Sequence, residues 1–241
     1  MGKMVAAITL PVKSFLLVRI GRGGQMNTSK AEIETLRLLG GRLCLDFANT
    51  MDPRLGNHPC DYLRDYSDLL QWSLHVGLLA KDEAEQLQEN AAQRPVEAAT
   101  TFEQAITLRE TLYRIFSTLA RNAFPEKSDL DNLKAMFVRA TTHAQLIPAT
   151  HGLQWDWTER APALAQMLWP VVHSAIELLT SEEVKKVKEC PGVGDCGWLF
   201  LDTSKNGSRQ WCSMEGCGSR AKMRRQYARK RANSSQHIDS A

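Results

Sequence analysis

The sequence of 241 residues lacks a long run of apolar side chains. A transmembrane helix needs about 18 or more predominantly apolar residues in succession. The most apolar stretch near the start, residues 5–20, is interrupted by Pro11, Lys13 and Arg19, and it is also a poor secretory signal. We therefore expect a cytoplasmic protein that has no membrane partner and whose cysteines stay reduced.

Catalytic motifs are also absent. The six histidines are scattered, and no Ser-His-Asp or metal-hydrolase spacing occurs. Gly40-Gly41 is too short to form a phosphate-binding loop. These absences indicate that the chain is not an enzyme.

One polar cluster is the exception. Asp46, Asn49 and Arg54 lie in and just after an apolar segment that is typical of a strand. A carboxylate, an amide and a guanidinium close together can bind a small ligand. The same residue types also terminate strands and cap helices, and we favour that structural role because it is the more frequent one.

Cysteine is scarce in most of the chain and concentrated near its end. Four of the six cysteines form a C-x5-C pair, fifteen further residues and a C-x4-C pair. Two thiolates at either spacing can occupy adjacent corners of one tetrahedron, and four protein ligands make a structural site rather than a catalytic one. Two disulfides are the alternative, which the missing secretory signal disfavours. The predicted ligands of one zinc ion are Cys190, Cys196, Cys212 and Cys217.

The residues around these cysteines predict a small fold. Pro191 and the glycines after it make a tight knuckle, and Gly197–Asp202 is apolar and aromatic enough for a strand. Asn206-Gly207 is a strong hairpin signal, so we expect a return strand through Arg209–Trp211. A segment rich in helix-forming residues follows Cys217. This order of knuckle, hairpin and helix is treble-clef-like, and the metal would supply folding free energy that so short a segment cannot obtain from its own core.

Acidic residues are nearly absent from the same region. Residues 203–231 contain nine Lys or Arg and one acid, Glu215, for a net charge of +8, whereas the whole chain is only +3. The rest of the chain therefore carries −5, and basicity is concentrated in one place, as in a phosphate-binding surface. The predicted nucleic-acid contacts, to phosphates and to a base edge, are Arg209, Arg220, Lys222, Arg224, Arg225 and Arg229.

Three kinds of partner fit a basic zinc module. We expect DNA first, with RNA as the alternative, and a protein-interaction scaffold is a third class. Salt separates the polyanions from a protein partner, because phosphate binding weakens steeply as the salt concentration rises. The sequence predicts neither the effector, whether a small molecule or a protein, nor the oligomeric state.

The chain before the cysteines is mainly helical by pattern. Apolar residues recur at helical spacing in four segments between residues 67 and 142, and Arg109 falls inside the longest apolar stripe, where it is either paired or marks the edge of the core. Gln145–Pro148 and Leu153–Trp157 flank a turn and predict a small hairpin. A last helix is expected from about residue 162 to 180, kinked or divided at Pro170. The predicted division is an N-terminal extension at residues 1–30, a helical domain at 31–182, a zinc-finger domain at 183–232 and a flexible tail at 233–241.

The segments around the zinc ligands resemble a known family. Cys196-Gly-Trp-Leu-Phe-Leu-Asp-Thr-Ser204, then Arg209-Gln-Trp-Cys-Ser-Met214, then Cys217-Gly-Ser-Arg220 are similar to the CGNR-type zinc finger of bacterial proteins. The family signature has Asn where this chain has Ser219, whose small polar side chain is compatible with zinc binding. The resemblance implies zinc rather than iron and a nucleic-acid-binding finger.

The front of the chain resembles a second family. Leu39-Gly-Gly-Arg-Leu-Cys-Leu-Asp-Phe-Ala-Asn-Thr50, with Arg54 and Asp68-Leu-Leu-Gln-Trp72, is similar to the opening of the ABATE domain, which usually precedes such a finger. The resemblance implies a bacterial stress-induced transcription regulator. In such a protein, the helical front domain senses a signal or a partner and the finger binds DNA.

Overall fold

The front domain consists of helices whose apolar faces pack around one hydrophobic core. The computed structural model describes residues 33–57, 59–157, 163–192 and 195–238, with side chains as far as Arg231. The predicted extension at residues 1–30 lies outside the described residues. Within these described ranges, no helix is both long and apolar enough to cross a bilayer.

The described part of the chain contains seven α-helices and six short strands. The helices are α1 (Leu43–Ala48), α2 (Tyr66–His75), α3 (Lys81–Gln93), α4 (Pro95–Ala120), α5 (Lys127–Thr142), α6 (Leu168–Thr180) and α7 (Ser219–Ile238). The strands are β1 (Met51–Asp52), β2 (Cys60–Asp61), β3 (Gln145–Ala149), β4 (Gly152–Asp156), β5 (Val187–Glu189) and β6 (Leu199–Leu201). The predicted fold class, mainly helical with small hairpins and a C-terminal zinc finger, is confirmed.

Helix α4 is the central helix of the front domain. It begins at Pro95. Because the N–H of the first helical residue has no intrahelical acceptor, proline costs no hydrogen bond at this position. It packs against α1, α2, α3, α5 and α6. The side chains that it buries at helical spacing include Ala105, Leu108, Leu112, Ile115 and Phe116. This helix therefore organises the front domain around one apolar stripe.

The apolar segment near residue 45 is helix α1 and not the predicted strand. Cys44, Leu45 and Phe47 are fully buried, and α1 packs against α4 and α6. The backbone at Arg42 is extended, and its carbonyl accepts the first helical hydrogen bonds, from the N–H groups of Leu45 and Asp46 at 3.0 Å each. A six-residue helix is marginal alone, so packing against its neighbours decides between helix and strand.

Pro170 lies in the first turn of α6 and does not divide it. The helix begins at Leu168, and the N–H groups of its first turn have no intrahelical acceptor in any sequence. The proline therefore removes no hydrogen bond of the helix, and the predicted kink is wrong.

The hairpin predicted before α6 is confirmed as β3 and β4. The two strands pair antiparallel with Gln145 opposite Asp156 and Leu146 opposite Trp155. Gly152, at φ +112°, sits where the chain turns back, in a conformation that side-chain-bearing residues rarely adopt.

The zinc-finger region forms its hairpin across the cysteine knuckle and not across Asn206-Gly207. Strands β5 and β6 pair antiparallel, with Val187 opposite Leu201 and Glu189 opposite Leu199. Residues 209–211 form no strand, so the predicted return strand is wrong.

The carboxylate of Asp202 organises this loop in place of a return strand. It accepts hydrogen bonds from the backbone N–H groups of Ser204 at 2.9 Å and Arg209 at 3.0 Å, and from Lys188 Nζ at 2.6 Å. Lys188 Nζ also donates to the carbonyl oxygens of Gly207 and Arg209. Burial alone would raise the pKa of Asp202, but the hydrogen bonds from Lys188 and Ser204 lower it overall, well below its usual range. Side chains thus satisfy backbone groups that a strand would have paired.

The finger and the front domain share one hydrophobic core. Leu199, Phe200 and Leu201 are fully buried and belong to the same apolar cluster as Phe47 of α1. Strand β6 packs against α1 and α4, and the N–H of Leu201 donates to the carbonyl of Gly40 at 2.8 Å. The two regions of sequence are therefore joined in structure by apolar packing as well as by the chain.

Candidate metal centre and basic helix

The four cysteines near the C-terminus converge on one point. Their Sγ atoms lie within 4.8 Å of one another, and all four residues are buried. Cys212 Sγ is 3.7 Å from the Sγ atoms of both Cys196 and Cys217. Four Zn–S bonds of about 2.3 Å at tetrahedral angles place sulfurs about 3.8 Å apart. The donor set fits one structural zinc ion, and all six cysteines are free thiols in the structure, which favours the metal site over the disulfide alternative.

The backbone brings the first two ligands together. Cys190 directly follows β5 and Cys196 shortly precedes β6, so the hairpin holds them at one end. Gly192 has φ +54°, and a Cβ there would lie 2.6 Å from the backbone N of Cys196. This turn therefore requires glycine. The N–H of Cys190 donates to the carbonyl of Trp198 at 2.8 Å, which closes the knuckle.

The other two ligands stand at the entrance to the basic helix. Cys217 lies inside a π-helical turn, Met214–Gly218, which leads directly into α7. Ser213 caps this turn, since its Oγ accepts from the N–H of Gly216 at 3.2 Å. Ser219, in the position of the family asparagine, donates from Oγ to the carbonyl of Met214 at 3.0 Å. The metal therefore fixes the starting point of α7.

Arg220 is the first basic side chain of α7, and it faces the metal centre. Its Nη2 donates to Cys217 Sγ at 3.2 Å, a charge-assisted contact with a ligand thiolate. Its charge also reaches Asp52 at the end of β1: burial raises the pKa of that carboxyl, and Arg220 counteracts part of the rise. Arg220 therefore has a structural partner within the finger, in addition to its predicted contact with nucleic acid.

Arg209, another predicted nucleic-acid contact, also turns inward. Its Nε donates to the carbonyl of Trp211 at 3.0 Å, and its Nη2 donates to the carbonyl of Cys212. The guanidinium lies over the ring of Phe200, 4.4 Å from the centroid. These contacts hold the loop before Cys212 in place and use much of the hydrogen-bonding capacity of the side chain.

Asn49, one of the three residues of the polar cluster, fastens the front domain to β6. Its Nδ2 donates to the carbonyl of Leu199 at 2.8 Å, and its Oδ1 accepts from the N–H of Leu199 at 2.9 Å. Asn49 is 1% exposed, so these two backbone groups depend on it for their hydrogen bonds. The amide side chain acts here as a neighbouring strand would.

Arg54 is buried at the same joint, with a side chain that is 2% exposed. Its Nη1 donates to Glu110 at 2.8 Å, and its Nε and Nη2 donate to the carbonyl of Ala48. The guanidinium lies 4.2 Å from the ring centroid of Tyr113, and the backbone N–H donates to the carbonyl of Cys196 at 2.7 Å. One residue thus links α1, α4 and the cysteine knuckle.

Arg109 is paired rather than at the edge of the core. It is 1% exposed and forms a two-pronged ion pair with Asp61, at 2.6 and 2.7 Å. Its Nε donates to Glu110 Oε1 at 2.8 Å, so Glu110 bridges Arg109 and Arg54. In the sequence, Arg109 stands out as a cation inside the apolar stripe of α4. Its partner Asp61 lies 48 residues away, and no local pattern indicates this pairing.

Asp46 holds the loop that meets β6. Its Oδ1 accepts from the N–H of Gly40 at 2.7 Å, and the carbonyl of Gly40 in turn accepts from Leu201. Burial raises the pKa of Asp46 to about 7, although the hydrogen bonds from Gly40 and Leu39 act to lower it. Asp46, Asn49 and Arg54 thus each have hydrogen-bond partners within the protein, and the structural role of the cluster requires no bound ligand.

Helix α7 carries its positive charge on exposed side chains. Seven Lys or Arg stand between Ser219 and Arg231, and the helix has no acidic residue. At 100° per residue six of these side chains form two stripes, and Lys230 lies between the stripes. One stripe contains Lys222, Arg225 and Arg229, and the other contains Arg220, Arg224, Tyr227 and Arg231. All of them are exposed, and Tyr227 is 68% exposed.

Two family models match the chain. ABATE, described as “Putative stress-induced transcription regulator”, matches residues 41–182, more than half of the chain. The CGNR zinc finger matches residues 186–230. The two occur in the order that the sequence motifs predicted. The comparison with curated proteins returned no match.

Proposed function

Because the chain belongs to the ABATE family and ends in a CGNR zinc finger, we propose that it is a zinc-dependent transcription regulator that binds DNA. The finger binds the polymer, and the helical domain responds to an effector. The exposed basic surface of α7, which begins at the metal centre, is the main support for this proposal.

The stripe of Lys222, Arg225 and Arg229 is the part of α7 best suited to phosphates. The three cations project from one side of the helix over about two turns, and all are exposed. Side chains on one side can follow one strand of a duplex and release its counterions together. Arg220 has a partner in Cys217, so we assign it mainly to the metal centre.

The zinc site gives this stripe a fixed direction. Cys217 stands two residues before α7, and the finger is packed on the front domain through β6. A basic helix that is held at its start presents its charges in one register, whereas a loose basic tail would not. Zinc is therefore a requirement for binding in this proposal although it touches no nucleic acid.

The front domain is proposed to have no catalytic role. The polar cluster of Asp46, Asn49 and Arg54 makes hydrogen bonds within the protein. These contacts support a structural role for the cluster and leave signal reception to another part of the domain.

The test measures binding of the zinc-loaded full chain to labelled duplex DNA and to a structured RNA at several salt concentrations. The variant is Arg225→Ala/Arg229→Ala, and Lys81→Ala/Lys134→Ala removes the same charge from exposed sites on the front domain. We expect the α7 variant to bind DNA at least about tenfold more weakly, with a salt slope reduced by about 2. The front-domain variant should bind like the parent.

Three outcomes would contradict the proposal. Equal loss in both variants would mean that net charge rather than the α7 surface drives binding. A preference for RNA over DNA would reassign the polymer. Binding to neither polymer, even at low salt, would leave the finger as a protein-docking module, whose affinity should depend weakly on salt.

A further inference from the structure

A cavity that is open to solvent on one side lies in the front domain, lined by residues other than those of the zinc centre and its joint. It is formed between α4, α5 and α6, together with the turn before α6, and has a volume of about 240 Å³. That space corresponds to about eight waters at liquid density, or one small ring with a short substituent. Interhelical cavities of this kind are common sites for small ligands.

The wall of the cavity is apolar and aromatic. Leu108 of α4, Met136 of α5 and Val172 of α6 line it from three sides. Trp169 of α6 and His143 after α5 line it too, with their rings stacked 4.1 Å apart and 5° from parallel. The two rings favour a flat ligand, because planar groups pack well against aromatic rings.

The charged groups at the cavity are Glu97 and Arg139 in its lining and Arg94 next to it, and together they sum to one positive charge. Glu97 lines it, but Arg94 neutralises this carboxylate at 3.1 Å. Arg139 of α5 and Gln104 of α4 also line the cavity, and Arg139 is exposed. A guanidinium and an amide that line the same cavity are suited to bind a planar anion.

We propose that this cavity binds a small aromatic carboxylate. The ring lies against the apolar wall near Trp169, and the carboxylate meets Arg139 and Gln104. Binding itself does not depend on the nucleic-acid function, whereas the role of the ligand as effector rests on the proposed function.

The probe is benzoate, with benzamide as the matched neutral control, titrated calorimetrically into the zinc-loaded full chain without nucleic acid. We expect benzoate to bind at least tenfold more tightly than benzamide, because benzamide lacks the charge that Arg139 recognises. Arg139→Gln should weaken benzoate binding at least tenfold. Lys134→Gln, an equal change of charge on the same helix but outside the cavity, should not.

A second variant tests the cavity by its volume. Ala165→Phe adds a ring at a partly exposed lining position in the turn before α6, and it should abolish binding of benzoate while the melting temperature stays near that of the parent. No binding of benzoate at millimolar concentration would overturn the proposal. Equal affinity for benzoate and benzamide, or full affinity in Arg139→Gln, would overturn it as well. Because no nucleic acid is present, each of these results leaves the DNA-binding proposal to its own test.

Discussion

The zinc finger has one face packed on the front domain and one face toward solvent, and the polar residues found at these two faces are in opposite situations. At the face packed on the front domain, Asn49 and the side chain of Arg54 are buried and Asp46 is partly buried, and all three side chains are hydrogen-bonded to the backbone or to carboxylates. On the face formed by α7, Arg225 and Arg229 are exposed to solvent. Both sets are prominent in the sequence. Their burial shows that the first set joins two regions of one protein, while the second remains accessible to a partner.

This difference separates polar residues that stabilise the fold from polar residues that are available to a partner. A buried polar group must satisfy its hydrogen bonds inside the protein, so its contribution is to stability. An exposed cation contributes little to stability and can exchange water for phosphate at low cost. Substitutions on the two faces should therefore separate stability from binding.

The largest effect on stability should come from the metal. Cys212→Ser removes a zinc ligand, and we expect loss of bound zinc and destabilisation on the order of 5 kcal/mol or more. Because β6 shares the core of the front domain, the whole described fold should unfold at lower temperature. Zinc content and thermal unfolding by circular dichroism check this.

Cys60→Ser is the matched control for the metal ligand. Cys60 is exposed and lies outside the cluster of four sulfurs. The zinc content and the unfolding temperature of the Cys60→Ser variant should therefore match those of the parent. If Cys212→Ser loses zinc but the helical domain melts unchanged, the shared core does not couple the two regions.

The next effect compares two arginines directly. Arg54→Ala removes a buried guanidinium from Glu110 and should destabilise the protein by about 3 to 5 kcal/mol, because it leaves a carboxylate without one of its partners. Arg225→Ala, the same chemical change on α7, should alter stability by less than about 0.5 kcal/mol. Urea unfolding of both variants measures the contrast. Similar losses for both would contradict the division into two faces.

Asn49→Ala should cost about 3 kcal/mol. It leaves the N–H and carbonyl groups of Leu199 without their partner in a buried site. The control is Asn132→Ala on the exposed side of α5, which should be neutral in the same urea experiment. An equally small effect at Asn49 would show that water or another group can replace the amide at β6.

Asp46→Asn should make the smallest change, a stabilising one that depends on pH. The folded protein raises the pKa of Asp46 to about 7, so the native state retains a proton that the unfolded chain releases at lower pH. Stability linked to this group is complete in acid and decreases as the pH rises toward 7. The asparagine variant stays neutral, and we expect it to be more stable than the parent by about 2 kcal/mol above pH 7.

This pH dependence has its own check. Denaturant unfolding at several pH values should show the two proteins converging in acid and separating toward neutral pH. Asp82→Asn at an exposed position of α3 should follow the parent throughout. A constant difference between Asp46→Asn and the parent at all pH values would mean that folding does not shift the pKa of this carboxyl.

Much of this molecule could be predicted from local pattern. Helices α3, α4 and α5 follow from apolar spacing, and the β3–β4 hairpin follows from two apolar runs around a turn. The zinc ligands follow from spacing, because each pair of cysteines is close in the chain. The strand assigned near residue 45 and the return strand after Asn206-Gly207 were wrong. In both places the local pattern permitted more than one structure, and distant partners decided which one formed.

By itself, the sequence determined the metal ligands, the basic segment and the helical character of the front domain, since each depends on residues that are near neighbours in the chain. The tertiary structure alone decided which polar residues are internal. Asn49 meets Leu199 across 150 residues, and Lys188 replaces a strand by binding Asp202 and two carbonyl groups. In both cases a side chain satisfies backbone N–H or carbonyl groups that packing leaves without a backbone partner. Which backbone groups these are is defined only when the finger and the front domain share one core.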